Sequence, residues 1–499
     1  MKWLSFLHFY QPADQQRDIL EAVVSQSYLP VLKTINASKF GKQSINISGS
    51  LLELLDNNGY HELMGLIKNS LEEGKIELTG SCKYHAFIPL VPEAEVYRQV
   101  VKNEETLQFY FGDAYKKAGF FPPEMAYAKF LPGMLEELGY RWLILDEIAY
   151  NKEAVFPTGD KLYRIKDSNI AVFFRNRRLS NLVMSAVVRS KETLDPAIKD
   201  MLSNKYVVSG MDGETFGHHR PGLESLLGEI INSQEPYSTM SISDFLSTYS
   251  KDLAVETVVP CESTWASSPQ DIERGSQFLS WLDMSNPIHG YQWDFFKFVL
   301  DLFYKVPESS DNYDELKSKM DVAMSSDHFW WASAKPWWSL EMIEQGAFRF
   351  LDIVKNIQDI SDSDISKAQK FYQLIVSTAF EWQRTGKVRQ MAKEQNEATR
   401  IPFKERTYDK GGHQRGVWEG FIHMIQEEEA KAVKNREYEK AVLWRDALFK
   451  LENKLDVYDM INAIDLLRLE IGNEEVEKIL NKYTKKYHKI RGGQPEQRG

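Results

Sequence analysis

Two carboxylates, Glu124 and Asp212, each follow an apolar, strand-like run of the sequence, and together they could serve as nucleophile and acid. Glu124 comes after the run 119–121 and two prolines, which end a strand by removing backbone donors. Asp212 ends the run 207–211. Cleavage of a glycosidic bond needs two such groups, one to attack the anomeric carbon and one to protonate the leaving oxygen. Taken alone, Glu124 also fits an acidic residue at the start of a helix, where the helix dipole favours it.

The segment around Asp212 favours a second interpretation, because Glu214, His218 and His219 follow it closely. Histidine and carboxylates are standard ligands of divalent metals, so the segment could hold a metal ion in a hydrolase similar to polysaccharide deacetylases. Nothing else in the sequence supplies an evident His-x-x-x-His ligand set. We therefore expect no metal ion, and the metal-dependent hydrolase remains the alternative.

The elements that must position these residues follow an alternating pattern, typical of a parallel α/β fold, from residue 1 to about residue 265. Eight β-type runs lie between helical stretches, at residues 3–7, 44–48, 75–79, 119–121, 142–146, 170–175, 206–211 and 257–260. Polar or aromatic side chains follow most of the runs. In β/α barrels the carboxyl ends of the strands meet on one face, where the active site forms. The pattern therefore predicts a barrel with a polar, acidic mouth.

Helical patterns replace the strand pattern after about residue 270, and an aromatic segment at residues 327–338 lies among them. We predict a catalytic barrel over residues 1–290 and a helical domain over 291–400 that completes the cleft. A C-terminal helical region follows over 401–484, and a flexible basic tail over 485–499.

Composition excludes several classes of protein. The 499 residues are 43% hydrophobic, enough for a large core, and the net charge of −11 argues against a nucleic-acid partner. The only cysteines, Cys82 and Cys261, are too few for a disulfide framework. No apolar run is long enough to span a bilayer. We therefore expect a cytoplasmic protein without a membrane segment.

Five short segments, in order from residue 8 to residue 331, carry motifs of one known family. They are HFYQP at 8–12, PPEMA at 122–126, MDGETFG at 211–217, the stretch 265–286 with two tryptophans, and SDHFWW at 326–331. Together they resemble glycoside hydrolase family 57, the family of α-amylases, 4-α-glucanotransferases and α-glucan branching enzymes. Each segment is a weak signal alone, but five in the family's order are specific.

The resemblance implies an α/β fold, a (β/α)7 TIM-like barrel followed by a helical domain, so one of the eight β-type runs should lie outside the barrel. It implies a retaining glycoside hydrolase or glycosyltransferase that acts on α-glucans without a cofactor, with Glu124 as nucleophile and Asp212 as acid/base. The residues expected to bind the α-glucan or maltooligosaccharide are His8, Gln11, Glu77, Arg175, Glu214, His218, Trp265, Trp281, Asp327, Trp330 and Trp331.

The sequence departs from the family pattern at two places. Tyr10 replaces the second histidine of the first motif, and Lys83 and His85 fit the family's second region only loosely. Because of these differences, the sequence does not decide between hydrolysis and transfer or give the linkage preference. Both catalytic carboxylates lie outside the two places.

A second resemblance concerns the charged helical pattern at residues 425–455, which is similar to the UVR motif, a helical hairpin that mediates protein–protein contacts. The hairpin could therefore bind a protein partner. A charged amphipathic helix of the chain's own helical domain fits the pattern equally well. A further alternative for the whole chain is a glycan-binding scaffold without catalysis that uses this hairpin for protein contacts.

Overall fold

The computed structural model describes residues 1–150, 156–185, 188–335, 337–399 and 417–453, together with residues 466, 467, 470, 471, 475, 476, 478, 479 and 482. The predicted tail at 485–499 and the boundary at 400–401 lie outside the described residues. The strands are β1 (Lys2–Phe9), β2 (Gln43–Ile47), β3 (Ile76–Leu78), β4 (Gly119–Phe120), β5 (Trp142–Asp146), β6 (Lys161–Ile165), β7 (Ala171–Arg175), β8 (Tyr206–Asp212), β9 (Ser238–Thr239) and β10 (Ala254–Val258).

Seven of these strands run parallel, in the spatial order β3-β2-β1-β8 and β7-β5-β4. The two groups meet at two places. Beyond β3, Gly80 forms a parallel bridge with Phe120 of β4. Beyond β7, the Asn176 N–H donates to the Val208 carbonyl of β8 at 2.8 Å. The α/β fold with seven parallel strands, expected from the sequence, is confirmed.

Three strands lie outside this set of seven. β6 pairs antiparallel with β7, β10 pairs parallel with β6, and β9 joins the start of β1. The predicted run 257–260 overlaps β10, so it is the run that lies outside the barrel strands. β6 was not predicted, because its charged residues Lys161 and Arg164 are exposed and interrupt the apolar pattern.

The side chains of the parallel strands alternate between two packed faces, as strand geometry requires. In β1, Leu4 and Phe6 point to the inner core, whereas Trp3 and Leu7 pack against the surrounding helices. This alternation places His8 on the inner face, at the carboxyl end of the strand. The flanking helices are Arg17–Val23, Leu29–Ala37, Gly49–Asn57, His61–Glu72, Glu93–Phe111, Leu131–Glu137, Arg177–Met184, Lys191–Ala197, Glu224–Ile231, Ile242–Tyr249 and Pro269–Glu273.

A helical part follows the strands and shares one hydrophobic core with the helices on that side of the barrel. An ion pair between Lys102 on helix Glu93–Phe111 and the buried Asp321, at 2.6 Å, holds the two parts together. The helices of this part are Pro287–Phe303, Tyr313–Ala323, Asp327–Trp330, Leu340–Asn356, Asp362–Thr385 and Lys387–Thr399.

The last described helices, Val417–Lys434 and Tyr438–Asn453, pack against each other as a hairpin. Their core includes Met424, Trp444 and Leu451, and all of its members among the described residues come from residue 421 onward. Of the predicted hairpin 425–455, residues 454 and 455 lie outside the described part. Within the described residues, none of the helices is both long and apolar enough to cross a membrane.

Candidate active site

Glu124 is held at the mouth of the barrel in a backbone conformation that few side chains adopt. Its φ is +61°, immediately after Pro122 and Pro123. The Trp265 indole N–H donates to Glu124 Oε2 at 2.6 Å, and the Trp265 backbone N–H donates to the Glu124 carbonyl at 3.1 Å. Burial, and then the charge of Asp212, raise the pKa of Glu124 to about 8, although the indole hydrogen bond opposes the shift.

Asp212 is the last residue of β8 and lies in register with His8 of β1. The alternation of β8 puts its side chain on the same inner face as Tyr206 and Val208. Burial raises the pKa of Asp212 to about 6, and the charge of Arg175 opposes the rise. Both catalytic candidates are therefore half-buried carboxyls with raised pKa values, and the charge of Asp212 acts on Glu124.

Glu214, two residues beyond Asp212, is the third carboxyl of the mouth and is buried. It accepts hydrogen bonds from the Tyr28 hydroxyl and from the Gln11 amide, the latter at 3.1 Å. Burial, followed by the charge of Asp212, raises the pKa of Glu214 to about 8. Gln11 and Glu214 therefore lie beside Asp212, the acid/base candidate.

The first motif brings His8 and Tyr10 to the opposite side of the mouth. The Tyr10 ring stacks on His85 with centroids 4.0 Å apart, and its hydroxyl donates to Asp327 Oδ2 at 2.6 Å. His85 Nδ1 lies 3.9 Å from Glu124 Oε1. Asp327 starts a short helix of the helical part, so this contact closes the mouth from that side. His8, through His85, and Asp327 thus lie near Glu124.

Arg175 ends β7 and is engaged by the protein itself. Its guanidinium donates to Asp146 at 2.8 Å and to the Gly210 carbonyl at 2.6 Å, which ties together the ends of β5, β7 and β8. Arg177 also bonds Asp146, and it donates to the Trp265 carbonyl at 3.0 Å. Arg175 was expected to contact the sugar. In the structure its guanidinium instead connects strand ends within the site.

A cluster of tryptophans follows Asp327 in the helical part. Trp330 stacks on Trp337 at 4.4 Å and meets Trp331 edge-on at 4.8 Å, and all three rings are partly exposed. Trp265 is also partly exposed, beside Glu124. Flat aromatic surfaces of this kind suit stacking on sugar rings.

Three predicted substrate contacts lie elsewhere. Glu77 points to the inner face one layer below the mouth, where it accepts from the Ser44 hydroxyl at 2.6 Å and the Ser243 N–H at 3.1 Å. Trp281 is 1% exposed and stacks on Phe87, so its ring is enclosed by the core. Both predictions are corrected, because neither side chain reaches the mouth. His218 is half-buried on the outer rim, 2.7 Å from Gln26, away from both carboxylates.

Two residues of the site were not among the predicted ones. His85 lies in the region that fits the family pattern loosely, and Tyr28 comes from a helical segment with no motif. The positive φ of His85, +58°, is visible in the structure, but nothing in the sequence reveals it. Among the described residues, no group of three or more His, Cys, Asp or Glu is arranged to hold a metal ion, and His218 and His219 do not converge with Asp212 on one.

The site has paired carboxyls at the carboxyl ends of parallel strands, and aromatic rings flank them. A glycoside hydrolase needs these groups to cleave a glycosidic bond and bind a sugar. The model of glycosyl hydrolase family 57 matches residues 4–257, about half of the chain. The chain therefore belongs to glycosyl hydrolase family 57.

Characterised relatives include an α-amylase from Pyrococcus horikoshii, 26% identical over 261 residues, which are 49% of this chain and 40% of the relative. A 4-α-glucanotransferase from Thermococcus litoralis is 23% identical over 259 residues, 49% of this chain and 38% of the relative. This chain thus spans less than half the length of these two relatives.

Solved structures share the fold. A branching enzyme from Thermococcus kodakaraensis superposes with a TM-score of 0.56 at 16% identity, covering 74% of this chain and 94% of the other. The Thermococcus litoralis 4-α-glucanotransferase superposes with a TM-score of 0.55 at 16% identity, covering 72% and 59%.

Proposed function

We propose that the protein is a retaining enzyme of α-glucan metabolism, a hydrolase or 4-α-glucanotransferase. In the first step the Glu124 carboxylate attacks the anomeric carbon, while Asp212 gives its proton to the leaving glycosidic oxygen. In the second step Asp212 takes a proton from water or from a sugar hydroxyl, which attacks the same carbon and releases Glu124. Water as acceptor gives hydrolysis and a sugar hydroxyl gives transfer.

The observation that carries this proposal is the electrostatic coupling of Glu124 and Asp212 in one buried mouth. Burial raises the pKa of both groups, and the charge of Asp212 adds to the rise at Glu124. Such a pair retains one proton near neutral pH. The reactive form is the one in which Asp212 holds this proton and Glu124 is ionised, and the higher pKa of Glu124 makes it the minor form of the pair. The names of the relatives support an α-glucan as the substrate.

Product analysis tests the proposal. The purified protein is incubated separately with amylose, maltooligosaccharides and pullulan, and the products are resolved by chain length and linkage. Glu124→Gln should lower kcat by about 10⁴-fold or more, because the amide cannot form the glycosyl ester. The matched control is Glu77→Gln, another buried carboxyl of the barrel that lies below the mouth. Absence of turnover on all three glucans, or equal activity of wild type and Glu124→Gln, refutes the proposal.

We further propose that the chain divides into a catalytic barrel over residues 1–290, a cleft-completing helical domain over 291–400 and a C-terminal helical region over 401–484. The contacts of Asp327 with Tyr10 support a helical domain that shapes the cleft. A cytoplasmic location stays a prediction, for which Cys82 and Cys261, both free thiols, are the support.

The C-terminal hairpin is proposed as a surface for a protein partner. Tyr438 and Val442 lie four residues apart, on one side of helix Tyr438–Asn453, and are 61% and 44% exposed. The inner side of the same helix packs Trp444 and Leu451 into the hairpin core. A helix that is apolar on both sides has a second face available for contact.

A further inference from the structure

A pair of buried histidines lies beside Glu124 and has no part in the two-carboxylate chemistry. His8 and His85 are 4% and 2% exposed, and their rings stack with centroids 5.1 Å apart. Their Nε2 atoms are 3.2 Å apart. Two neutral imidazole nitrogens at this distance form a hydrogen bond only when one carries a hydrogen and the other a lone pair. The two histidines must therefore be different tautomers.

Asn46 determines which tautomer each ring adopts. Its amide nitrogen faces Thr79, 3.2 Å from the hydroxyl and 3.4 Å from the carbonyl, so its Oδ1 faces His8 Nδ1 at 2.9 Å. An amide oxygen only accepts, so His8 carries its hydrogen on Nδ1. Burial lowers the pKa of His8 to about 4, which keeps the ring neutral and leaves a lone pair on Nε2. His85 must then donate from its own Nε2.

The other nitrogen of His85 is left as an acceptor. Burial, and then His8, hold the pKa of His85 well below its usual range, so the ring is neutral and Nδ1 carries a lone pair. This nitrogen accepts from the Ser326 hydroxyl at 2.9 Å and lies 3.9 Å from Glu124 Oε1. The Trp265 indole binds the other oxygen, Oε2. The two oxygens of Glu124 therefore face different groups, a donor at Oε2 and a ring nitrogen without a hydrogen at Oε1.

The backbone fixes this orientation. His85 and Glu124 have φ angles of +58° and +61°, a region that ordinary side chains rarely adopt. The Ser326 N–H donates to the His85 carbonyl at 3.0 Å. Strained backbone of this kind persists where the surroundings determine it, and it clusters at active sites.

We propose that His85 is a positioning residue for Glu124: Asn46 and His8 lock its ring as the Nε2–H tautomer, so its Nδ1, which accepts from Ser326, offers no hydrogen to Oε1, the attacking oxygen. An attacking oxygen without a hydrogen bond from this ring is not weakened by one, and the partial negative charge of Nδ1 disfavours the carboxylate. The inference rests on the proposed function for the role of Glu124. The other ionisable groups that face this corner are Asp212 of β8, Asp327 of the helical part, and His8 and Tyr10 of the first motif.

Nitrogen NMR of ¹⁵N-histidine-labelled protein tests the tautomers without any substrate. Long-range ¹H–¹⁵N spectra distinguish a protonated ring nitrogen from one with a lone pair, and His85→Phe assigns the signals. We expect His8 with hydrogen on Nδ1 and His85 with hydrogen on Nε2, both neutral at pH 7. Hydrogen on Nδ1 of His85, or a charged ring, overturns the proposal. This result stands even if the protein turns over no α-glucan, which would defeat only the proposed function.

The pH profile of kcat/KM tests the effect on Glu124. His85→Phe keeps a ring against Tyr10 but removes the partial negative charge of Nδ1, so the basic limb, on which the Glu124 carboxyl titrates, should move to lower pH. A shift of about one pKa unit corresponds to a tenfold loss in kcat/KM on that limb relative to the optimum. Asn46→Leu should shift the limb in the same direction, because it frees His85 to take the other tautomer without touching Glu124. A folded variant of either kind with an unmoved basic limb contradicts the proposal.

Discussion

At the scale of single residues, the carboxyls of Glu124 and Asp212 have pKa values raised to about 8 and about 6 by burial. Because the two groups interact, these values belong to the pair rather than to either residue. Below the lower value both carboxyls are protonated and no nucleophile exists. Above the higher value both are ionised and no proton donor exists. Catalysis therefore needs the singly protonated pair.

We accordingly predict a bell-shaped dependence of kcat/KM on pH, with the acid limb near pH 6 and the basic limb near pH 8. Initial rates on a maltooligosaccharide between pH 4 and pH 10 measure it, with stability followed in parallel. A profile that is flat across this interval would contradict a mechanism in which these two carboxyls share one proton.

Trp265→Phe should move the basic limb, near pH 8, to higher pH. The indole hydrogen bond stabilises the Glu124 carboxylate, so its loss raises the pKa of Glu124 further. A hydrogen bond to a charged group contributes about 1.5 kcal/mol or more, roughly one pKa unit. The pH profile of kcat/KM measures the shift. The control, Trp281→Phe, removes an indole from the core and should lower stability without moving the limb.

Much of the site could be predicted at this scale, because Glu124, Asp212 and Asp327 lie in contiguous motifs that each combine a polar residue with the end of an apolar run. The residues that contact these three could not be predicted from the sequence. The roles of His85, Asn46 and Tyr28 depend on hydrogen bonds between residues far apart in the chain. Glu77 and Trp281 were misplaced because residue type and proximity to a motif do not reveal which layer of the barrel a side chain occupies.

At the scale of elements, Arg175 connects three strand ends through Asp146 and Gly210. Arg175→Met should lower the free energy of unfolding by about 3 kcal/mol, because it leaves the buried Asp146 without one of its two cationic partners. Urea denaturation measures the change. The control is Arg178→Met, on the exposed pair with Asp200, which should stay within about 0.5 kcal/mol of wild type. Equal stability of the two variants would show that Arg175 is free to bind a ligand instead.

The parallel strands were predictable because burial on both faces makes them continuous apolar runs. Seven of the eight predicted runs correspond to the seven parallel strands. The eighth, 257–260, looks similar in the sequence but overlaps β10, which pairs with β6 away from them. β9 has only two residues, too few to show the two-residue alternation of side chains by which a strand is recognised in a sequence. Pairing partners are a property of the folded chain, so edge strands are where a sequence pattern is least informative.

At the scale of the whole molecule, the hairpin Val417–Asn453 has its own core, with no side chain from before residue 421 among the described members. Trp444, 1% exposed, is its largest buried side chain. Trp444→Ala should destabilise the hairpin by about 3 kcal/mol or more and expose it to proteases, while kcat on α-glucans stays unchanged. Limited proteolysis and kinetics on the same sample measure both effects. A parallel loss of kcat would mean that the hairpin supports the cleft.

Tyr438→Glu combined with Val442→Glu tests the proposed partner surface without opening the core. Both side chains are exposed, so the variant should keep its fold and its turnover. Each protein is cross-linked in the native host and its partners are identified by mass spectrometry. The double variant should lose a partner that the wild type retains. The matched control places the same two charges on helix Asp362–Thr385, at Gln373 and Ser377. A cross-linked set that is the same for all three proteins argues against a docking role.

The assignment of Glu124 as nucleophile and Asp212 as acid/base is tested most directly by azide rescue with an activated α-glucosyl substrate. Glu124→Ala opens a space from which azide attacks the anomeric carbon itself, so the product should be the inverted β-glucosyl azide. Asp212→Ala still forms the glycosyl-enzyme intermediate, which azide then intercepts with net retention, so the product should be the α-glucosyl azide. NMR of the two products distinguishes them. The opposite pattern, or rescue of neither variant in a turnover-competent protein, would contradict the assignment.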